Sequence, residues 1–143
     1  MRKNWDEYFL SIAEKVAEQS TCLRAHVGAV FVDGDTKRIL STGYSGSLPG
    51  APHCDEVGCL IEDGHCRRTV HAEINGLLFV QGQYENLQLY STHQPCYQCM
   101  KALLKKKKKR VCYLTTYKDE IRDQILEESK QKYGIMIQYF GGS

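Results

Sequence analysis

Val70-His71-Ala72-Glu73-Ile74 and, further along, Thr92-His93-Gln94-Pro95-Cys96-Tyr97-Gln98-Cys99 decide how this chain folds. His71, Cys96 and Cys99 offer one imidazole and two thiols. That donor set suits zinc, and three protein ligands leave a fourth tetrahedral position for water. Glu73 stands two residues past His71 and reads as a proton carrier for that water rather than as a fourth ligand. The flanks supply the structure. Val70 to Val80 is apolar at helical spacing, which puts His71 and Glu73 in a first helical turn. Leu87 to Ser91 reads as a strand. Pro95 then opens a helix with Cys96 and Cys99 three apart on one face. Two helix N-termini thus converge on one metal, and the positive end of the helix dipole favours thiolate.

Outward from this centre the pattern alternates. Trp5 to Glu18 is a helix, with Trp5, Phe9, Ile12 and Val16 on one side and Asn4 as N-cap. Val27 to Val32 is a β-branched strand that ends at the Asp33-Gly34-Asp35 turn, with Ile39 to Thr42 as its antiparallel partner. After the zinc motif come a strand at Val111 to Thr115, a helix at Glu120 to Lys132 and a last strand at Ile135 to Phe140. The expected fold is α/β, a mixed five-stranded sheet with helices on both faces. Gly43 to Arg68 remains as a long stretch with two prolines, two histidines and three cysteines. A loop of that length in a compact domain is functional or tied down. There is no internal repeat.

The 143 residues suffice for one domain, taken as 1–143, and not for two. Hydrophobic and charged fractions of 42% and 25% are ordinary for a soluble globular protein. A net charge of +2 does not argue for nucleic acid. No apolar run approaches the ~20 residues of a membrane span. The charged start, Met1-Arg2-Lys3-Asn4, leads into an amphipathic segment and is no signal peptide. Seven cysteines is a high and odd count. With no export signal, metal binding in a reducing cytoplasm accounts for them better than disulfides.

His-x-Glu followed by Pro-Cys-x-x-Cys is the known signature of zinc nucleobase deaminases. Around it stand Ser20-Thr21-Cys22-Leu23-Arg24, Val27-Gly28-Ala29-Val30, Thr42-Gly43-Tyr44-Ser45-Gly46 and Asp63-Gly64-His65-Cys66. From about Trp5 to Tyr117 the chain resembles the zinc-dependent deoxycytidylate (dCMP) deaminases of the cytidine deaminase-like superfamily, including bacterial competence-operon and phage members. The resemblance implies the three-layer α/β/α fold of that superfamily. It also implies hydrolytic conversion of dCMP to dUMP and ammonia, feeding thymidylate synthesis. By the same resemblance Glu73 is the catalytic residue, His71, Cys96 and Cys99 hold zinc, and Arg24, Ser45, Ala72, Tyr117 and Lys118 bind substrate.

The family's usual Gly-Tyr-Asn-Gly is here Gly43-Tyr44-Ser45-Gly46. A serine hydroxyl is shorter than the amide it replaces and carries one donor. That makes a bifunctional dCMP/dCTP deaminase the principal alternative. Some family members carry a second, structural zinc, for which Cys22, Cys54, Cys59 and Cys66, with His65 beside them, are the candidates. Family members are also usually cytoplasmic homohexamers, activated by dCTP and inhibited by dTTP with Mg2+.

Blander readings stand beside these. The His-Cys-Cys set could be a closed structural zinc site in a non-catalytic module, though a lone Cys-x-x-Cys would make that case better than one paired with His-x-Glu. Another superfamily activity, on a free nucleoside, guanine or tRNA adenosine, is disfavoured by Arg24 and the Asp63-Gly64-His65-Cys66 element. Arg24 and Lys118 could be solvated charges. The run Lys105 to Lys109 with Arg110 closes the Cys96 helix, where cations complement the dipole, and is no nucleic-acid site. Cys112 reads as core. His26 and His53 give no separate signal, and His93 is placed to line the pocket.

Overall fold

The structure is a computed structural model that describes residues 2–22, 25–48, 50–62, 65–66, 68–105 and 110–141. Arg24, Asp63, Gly64 and Lys106 to Lys109 fall outside the described residues. Helix α1 spans Trp5–Ala17; the Asn4 side chain accepts the Glu7 N–H at 2.9 Å and caps it. The hairpin follows as β1 (Gly28–Asp33) and β2 (Arg38–Tyr44), paired antiparallel. The long stretch is not structureless. It holds a single turn of helix, α2 (Cys54–Val57), and a small antiparallel pair, β3 (Ile61–Glu62) and β4 (His65–Cys66). Then come α3 (Ala72–Leu77), β5 (Leu87–His93), α4 (Tyr97–Lys105), β6 (Arg110–Thr115), α5 (Glu120–Tyr133) and β7 (Met136–Tyr139).

The main sheet has five strands in the order β2-β1-β5-β6-β7. The pairs β1–β2 and β1–β5 are antiparallel, while β5–β6 and β6–β7 are parallel. Alternation along the strands sorts the core. Val30, Val32, Tyr90 and Cys112 face Phe9, Leu10 and Ala13 of α1. Ala29, Phe31, Leu89 and Val111 face the other way, onto Ala72, Met100, Leu103 and Leu104 of α3 and α4, with Ile125 and Leu126 of α5 beside them. This is the expected mixed five-stranded α/β/α fold, and Cys112 is core.

Two glycines let helices come onto the sheet from opposite sides. A Cβ on Gly43 of β2 would overlap the Ala72 carbonyl and the Gly76 nitrogen of α3. One on Gly28 of β1 would overlap the Ala13 carbonyl of α1. Opposite the metal motif, Asp6 takes a two-pronged ion pair from Arg110 at 2.6 and 2.8 Å and a hydrogen bond from the Tyr90 hydroxyl at 2.7 Å. This ties the first helix to the middle of the sheet.

The structure corrects two helix boundaries. The helix expected over Val70 to Val80 is only Ala72–Leu77, with His71 as its N-cap. The Phe79 and Val80 N–H groups bond the Gly76 and Leu77 carbonyls, a tightened last turn that drops Val80 into the core. The apolar periodicity continued, but the helix did not. Likewise α4 begins at Tyr97 rather than Pro95, because the first free N–H, that of Tyr97, is taken by the Asp119 carboxylate at 2.8 Å.

Candidate active site

The motif residues meet at the C-terminal end of β5, where the parallel partner β6 also ends. Crevices outside the carboxyl ends of parallel strands are where open α/β sheets bind ligands. His71 arrives as the N-cap of α3, Cys99 lies in the first turn of α4, and Cys96 immediately precedes that helix. His71 Nδ1 is 3.4 Å from Cys96 Sγ and 3.3 Å from Cys99 Sγ. A tetrahedral zinc with Zn–N of ~2.0–2.1 Å and Zn–S of ~2.3 Å requires N···S of about 3.6 Å. The donors therefore fit zinc in type and in spacing.

The electrostatics of the ligands agree with this. The Cys99 thiol hydrogen-bonds Cys96 and, despite burial and with help from His71, brings its pKa down to about 4. The reciprocal bond to Cys96, and burial, push Cys99 the other way. Hydrogen bonding to Cys96 outweighs burial and raises His71. One thiolate is thus present at neutral pH, and a cation at the site favours the second.

Glu73 is buried beside the donors without joining them. Its Oε1 accepts the Ser91 hydroxyl at 3.1 Å, and its Oε2 accepts the Cys99 thiol at 3.3 Å. Burial raises its carboxyl pKa above the usual carboxylate value, more than His71 and these hydrogen bonds lower it. A general acid–base group needs such a displacement to exchange protons near neutral pH. Ser91 was not singled out from sequence; its place on β5, two residues before His93, is the signal that could have found it.

A cavity of about 320 Å³ opens above the donors, a size found in small-molecule sites. Its floor includes His71, Glu73 and Cys96, and its walls include Ser45, His93 and Tyr117. Ala72 and Cys22 also line it. His93 is half-buried and bonded through Nδ1 to the Thr92 hydroxyl at 2.9 Å, and burial lowers its pKa. Lys118 is exposed and outside the lining.

Ser45 reaches the cavity, but its hydroxyl is engaged elsewhere. It accepts the Val27 N–H at 3.0 Å, donates to the Ala25 carbonyl at 3.1 Å and lies 2.6 Å from the Ser20 hydroxyl. Of the second candidate set, Cys54, Cys59 and Cys66 converge, with their sulfurs within 4.8 Å of one another. Cys22 stands apart from them. Its N–H bonds the Ser20 hydroxyl at 3.2 Å, and its side chain lines the cavity. At Cys66, burial is outweighed by hydrogen bonds from Thr69 and nearby backbone N–H groups, which bring the thiol to about 6.

Residues 119 to 122 hold the backbone that carries the site. The Asp119 carboxylate accepts the Arg122 N–H at 3.0 Å, capping α5, and the Tyr97 N–H at 2.8 Å, at the start of α4. Arg122 is 2% exposed, and its guanidinium donates to the carbonyls of Pro95 at 3.1 Å and Tyr117 at 2.6 Å. From the sequence, an arginine in the first turn of a polar helix gives no reason for notice.

A mixed five-stranded α/β/α sandwich that brings one histidine, two cysteines and a buried glutamate to the end of β5 defines a protein of the cytidine deaminase-like class. The family model for the cytidine and deoxycytidylate deaminase zinc-binding region matches residues 3–115. ComE operon protein 2 of Bacillus subtilis is 40% identical over 120 residues, covering 82% of this chain and 62% of that protein. The deoxycytidylate deaminase of Mycobacterium phage D29 is 37% identical over 124 residues, covering 78% and 95%. The dCMP deaminase of cyanophage S-TIM5, solved in complex with dCMP and dUMP, matches with a TM-score of 0.77 at 28% identity, covering 98% of this chain and 99% of that one. The chain belongs to the deoxycytidylate deaminase family. It spans 62% of the length of the Bacillus relative and 38% of the fission yeast deoxycytidylate deaminase, against 95% of the Mycobacterium phage protein and 99% of the cyanophage one.

Proposed function

We propose that this protein deaminates dCMP hydrolytically to dUMP and ammonia, with residues 1–143 acting as one deaminase domain. The observation that carries the reading is Glu73, buried against a three-donor zinc set without being one of the donors. His71, Cys96 and Cys99 would hold zinc, which when bound would supply a Lewis acid able to lower the pKa of water from ~15.7 to about 7. Glu73 takes up the proton that attack at C4 of cytosine releases. It passes that proton to the adjacent ring nitrogen, then takes the second proton from the new C4 hydroxyl and gives it to the departing amine, which leaves as ammonia. The Ser91 hydroxyl holds one carboxylate oxygen through these transfers, and the cavity walls at His93 and Tyr117 orient the base.

Ala72 and Tyr117 are the wall residues in reach of the nucleotide, and Arg24 supplies a bidentate fork for its phosphate. Ser45 contributes as the strut of the wall and not as a reader of the nucleotide. With no amide at that position, acceptance of dCTP as well as dCMP is the second reading. Cys54, Cys59 and Cys66 hold a structural zinc that ties down the loop between β2 and α3. A cytoplasmic homohexamer feeding thymidylate synthesis, activated by dCTP and inhibited by dTTP with Mg2+, completes the proposal. No helix among the described residues is long and apolar enough to cross a membrane.

The test is ammonia release from dCMP, dCTP, deoxycytidine and CMP by zinc-loaded protein, with and without each effector. Turnover of dCMP is expected. Comparable turnover of dCTP selects the bifunctional reading, and no turnover of any cytosine nucleotide refutes both.

A further inference from the structure

Arg122 breaks two local rules at once. A cation in the first turn of a helix opposes the positive end of the dipole, and a buried guanidinium carries a desolvation penalty. It also has an acidic partner in Asp123, whose Oδ1 accepts from Nε at 3.1 Å and Nη2 at 2.9 Å, but that carboxylate is largely exposed and could be reached from the surface. What burial obtains is access to two carbonyls, those of Pro95 and Tyr117. Pro95 directly precedes Cys96. The residue directly after it, Tyr97, gives its N–H to Asp119. One turn of chain therefore grips the backbone on both sides of a metal ligand, by the carbonyl before it and the N–H after it.

The same turn carries part of the cavity wall. The Tyr117 carbonyl is held by Arg122 at 2.6 Å, and its N–H donates to the Gln94 side chain at 3.3 Å. The Gln94 N–H in turn bonds the Thr115 carbonyl at 2.8 Å. Segments 94–97 and 115–122 are thus fastened together.

We propose that Asp119 and Arg122 are positioning residues that set the Cys96 sulfur relative to His71 and Cys99 and register the Tyr117 wall against the metal. Neither touches the ligand atoms; both act through the backbone that carries them. The proposal rests on the zinc reading of the site and not on which nucleotide is the substrate.

The experiment compares Arg122→Met, Arg122→Lys and Asp119→Asn with Tyr90→Phe, a control that removes a buried hydrogen bond to Asp6 on the opposite face of the sheet. Zinc affinity is measured by chelator competition, geometry by the thiolate charge-transfer and d–d bands of cobalt-loaded protein, and stability by melting temperature. Loss of an outer-shell partner typically weakens metal binding about 10–100-fold, and Arg122→Met is expected in that range with shifted cobalt bands. Arg122→Lys recovers part of the affinity: one nitrogen, Nη1, serves both carbonyls, which an ammonium can replace, but lysine loses the Nε and Nη2 bonds to Asp123 that fix the plane of the guanidinium. Tyr90→Phe lowers the melting temperature and leaves affinity and spectrum alone. Wild-type affinity and cobalt bands in Arg122→Met overturn the proposal. Should that variant fail to fold, the same wild-type values in Asp119→Asn overturn it. No step of the test uses substrate, so failure to turn over dCMP would refute the proposed activity and leave this result standing.

Discussion

Ser45→Ala distinguishes a substrate-reading hydroxyl from a structural one. The hydroxyl satisfies the Val27 N–H at 3.0 Å and the Ala25 carbonyl at 3.1 Å, and Ser45 is 4% exposed. Ser20 keeps a partner in the variant, because its hydroxyl also donates to the Ser45 carbonyl at 2.6 Å. The main loss is therefore one orphaned N–H and one orphaned carbonyl. A buried polar group left unpaired costs about 1–3 kcal/mol. The site borders a cavity that admits water, which places the total at the lower end, about 1–2 kcal/mol. In a chain of 143 residues that corresponds to a fall of about 3–6 °C in melting temperature. Thermal melts of zinc-loaded protein and the KM for dCMP are measured together. The melting temperature is expected to fall with KM little changed. An unchanged melting temperature with KM raised about tenfold, the equivalent of ~1.4 kcal/mol of lost ligand binding, refutes the reasoning and makes Ser45 a direct nucleotide contact.

Four further outcomes are expected. Glu73→Gln keeps zinc by metal analysis and loses about 10²–10⁴-fold in kcat; retained activity would remove the proton carrier from the mechanism. Gly43→Ala places a methyl against the Ala72 carbonyl and the Gly76 nitrogen and destabilises by about 1–3 kcal/mol in urea unfolding. Cys66→Ser lowers the zinc content measured by native mass spectrometry from two ions to one, with the His71 site still loaded; a wild-type content of one sinks the second site. The Arg110 ion pair holds the Asp6 carboxyl below its usual range despite partial burial. Its contribution is full above the unfolded value near ~3.9 and lost as pH falls through the lower folded value. Asp6→Asn therefore destabilises at pH 7, with a gap from wild type that closes in acid, as chemical denaturation at several pH values can read.

The parts legible in the sequence share a cause. Strand alternation at Ala29 to Val32 and the helical spacing of Phe9, Leu10 and Ala13 exist because each side chain must choose a face of one sheet, and the layers follow from that choice. His71, Glu73, Cys96 and Cys99 are legible because few side-chain types bind zinc or move protons near neutral pH, so residue type and spacing carry the message. The errors lay where backbone hydrogen bonding decides. Val80 continues an apolar period after the helix has tightened and ended, and Tyr97 begins α4 because a carboxylate distant in sequence takes its N–H.

The same distinction explains Ser45, Asp119 and Arg122. Each acts on main-chain groups, the Val27 N–H, the Tyr97 N–H and the carbonyls of Pro95 and Tyr117, and every residue but proline carries both kinds of group. A side chain whose partner is backbone leaves no complementary residue elsewhere in the chain to pair with it by eye. The resemblance assigns Ser45 to substrate from the asparagine it replaces, whereas the bonds its hydroxyl makes here run to main-chain groups and to Ser20. The departure from asparagine becomes intelligible from what the shorter side chain still reaches. A hydroxyl suffices to join the segments at Ser20, Ala25 and Val27 into one wall, so the wall survives the substitution even where the amide's contact with a ligand is lost.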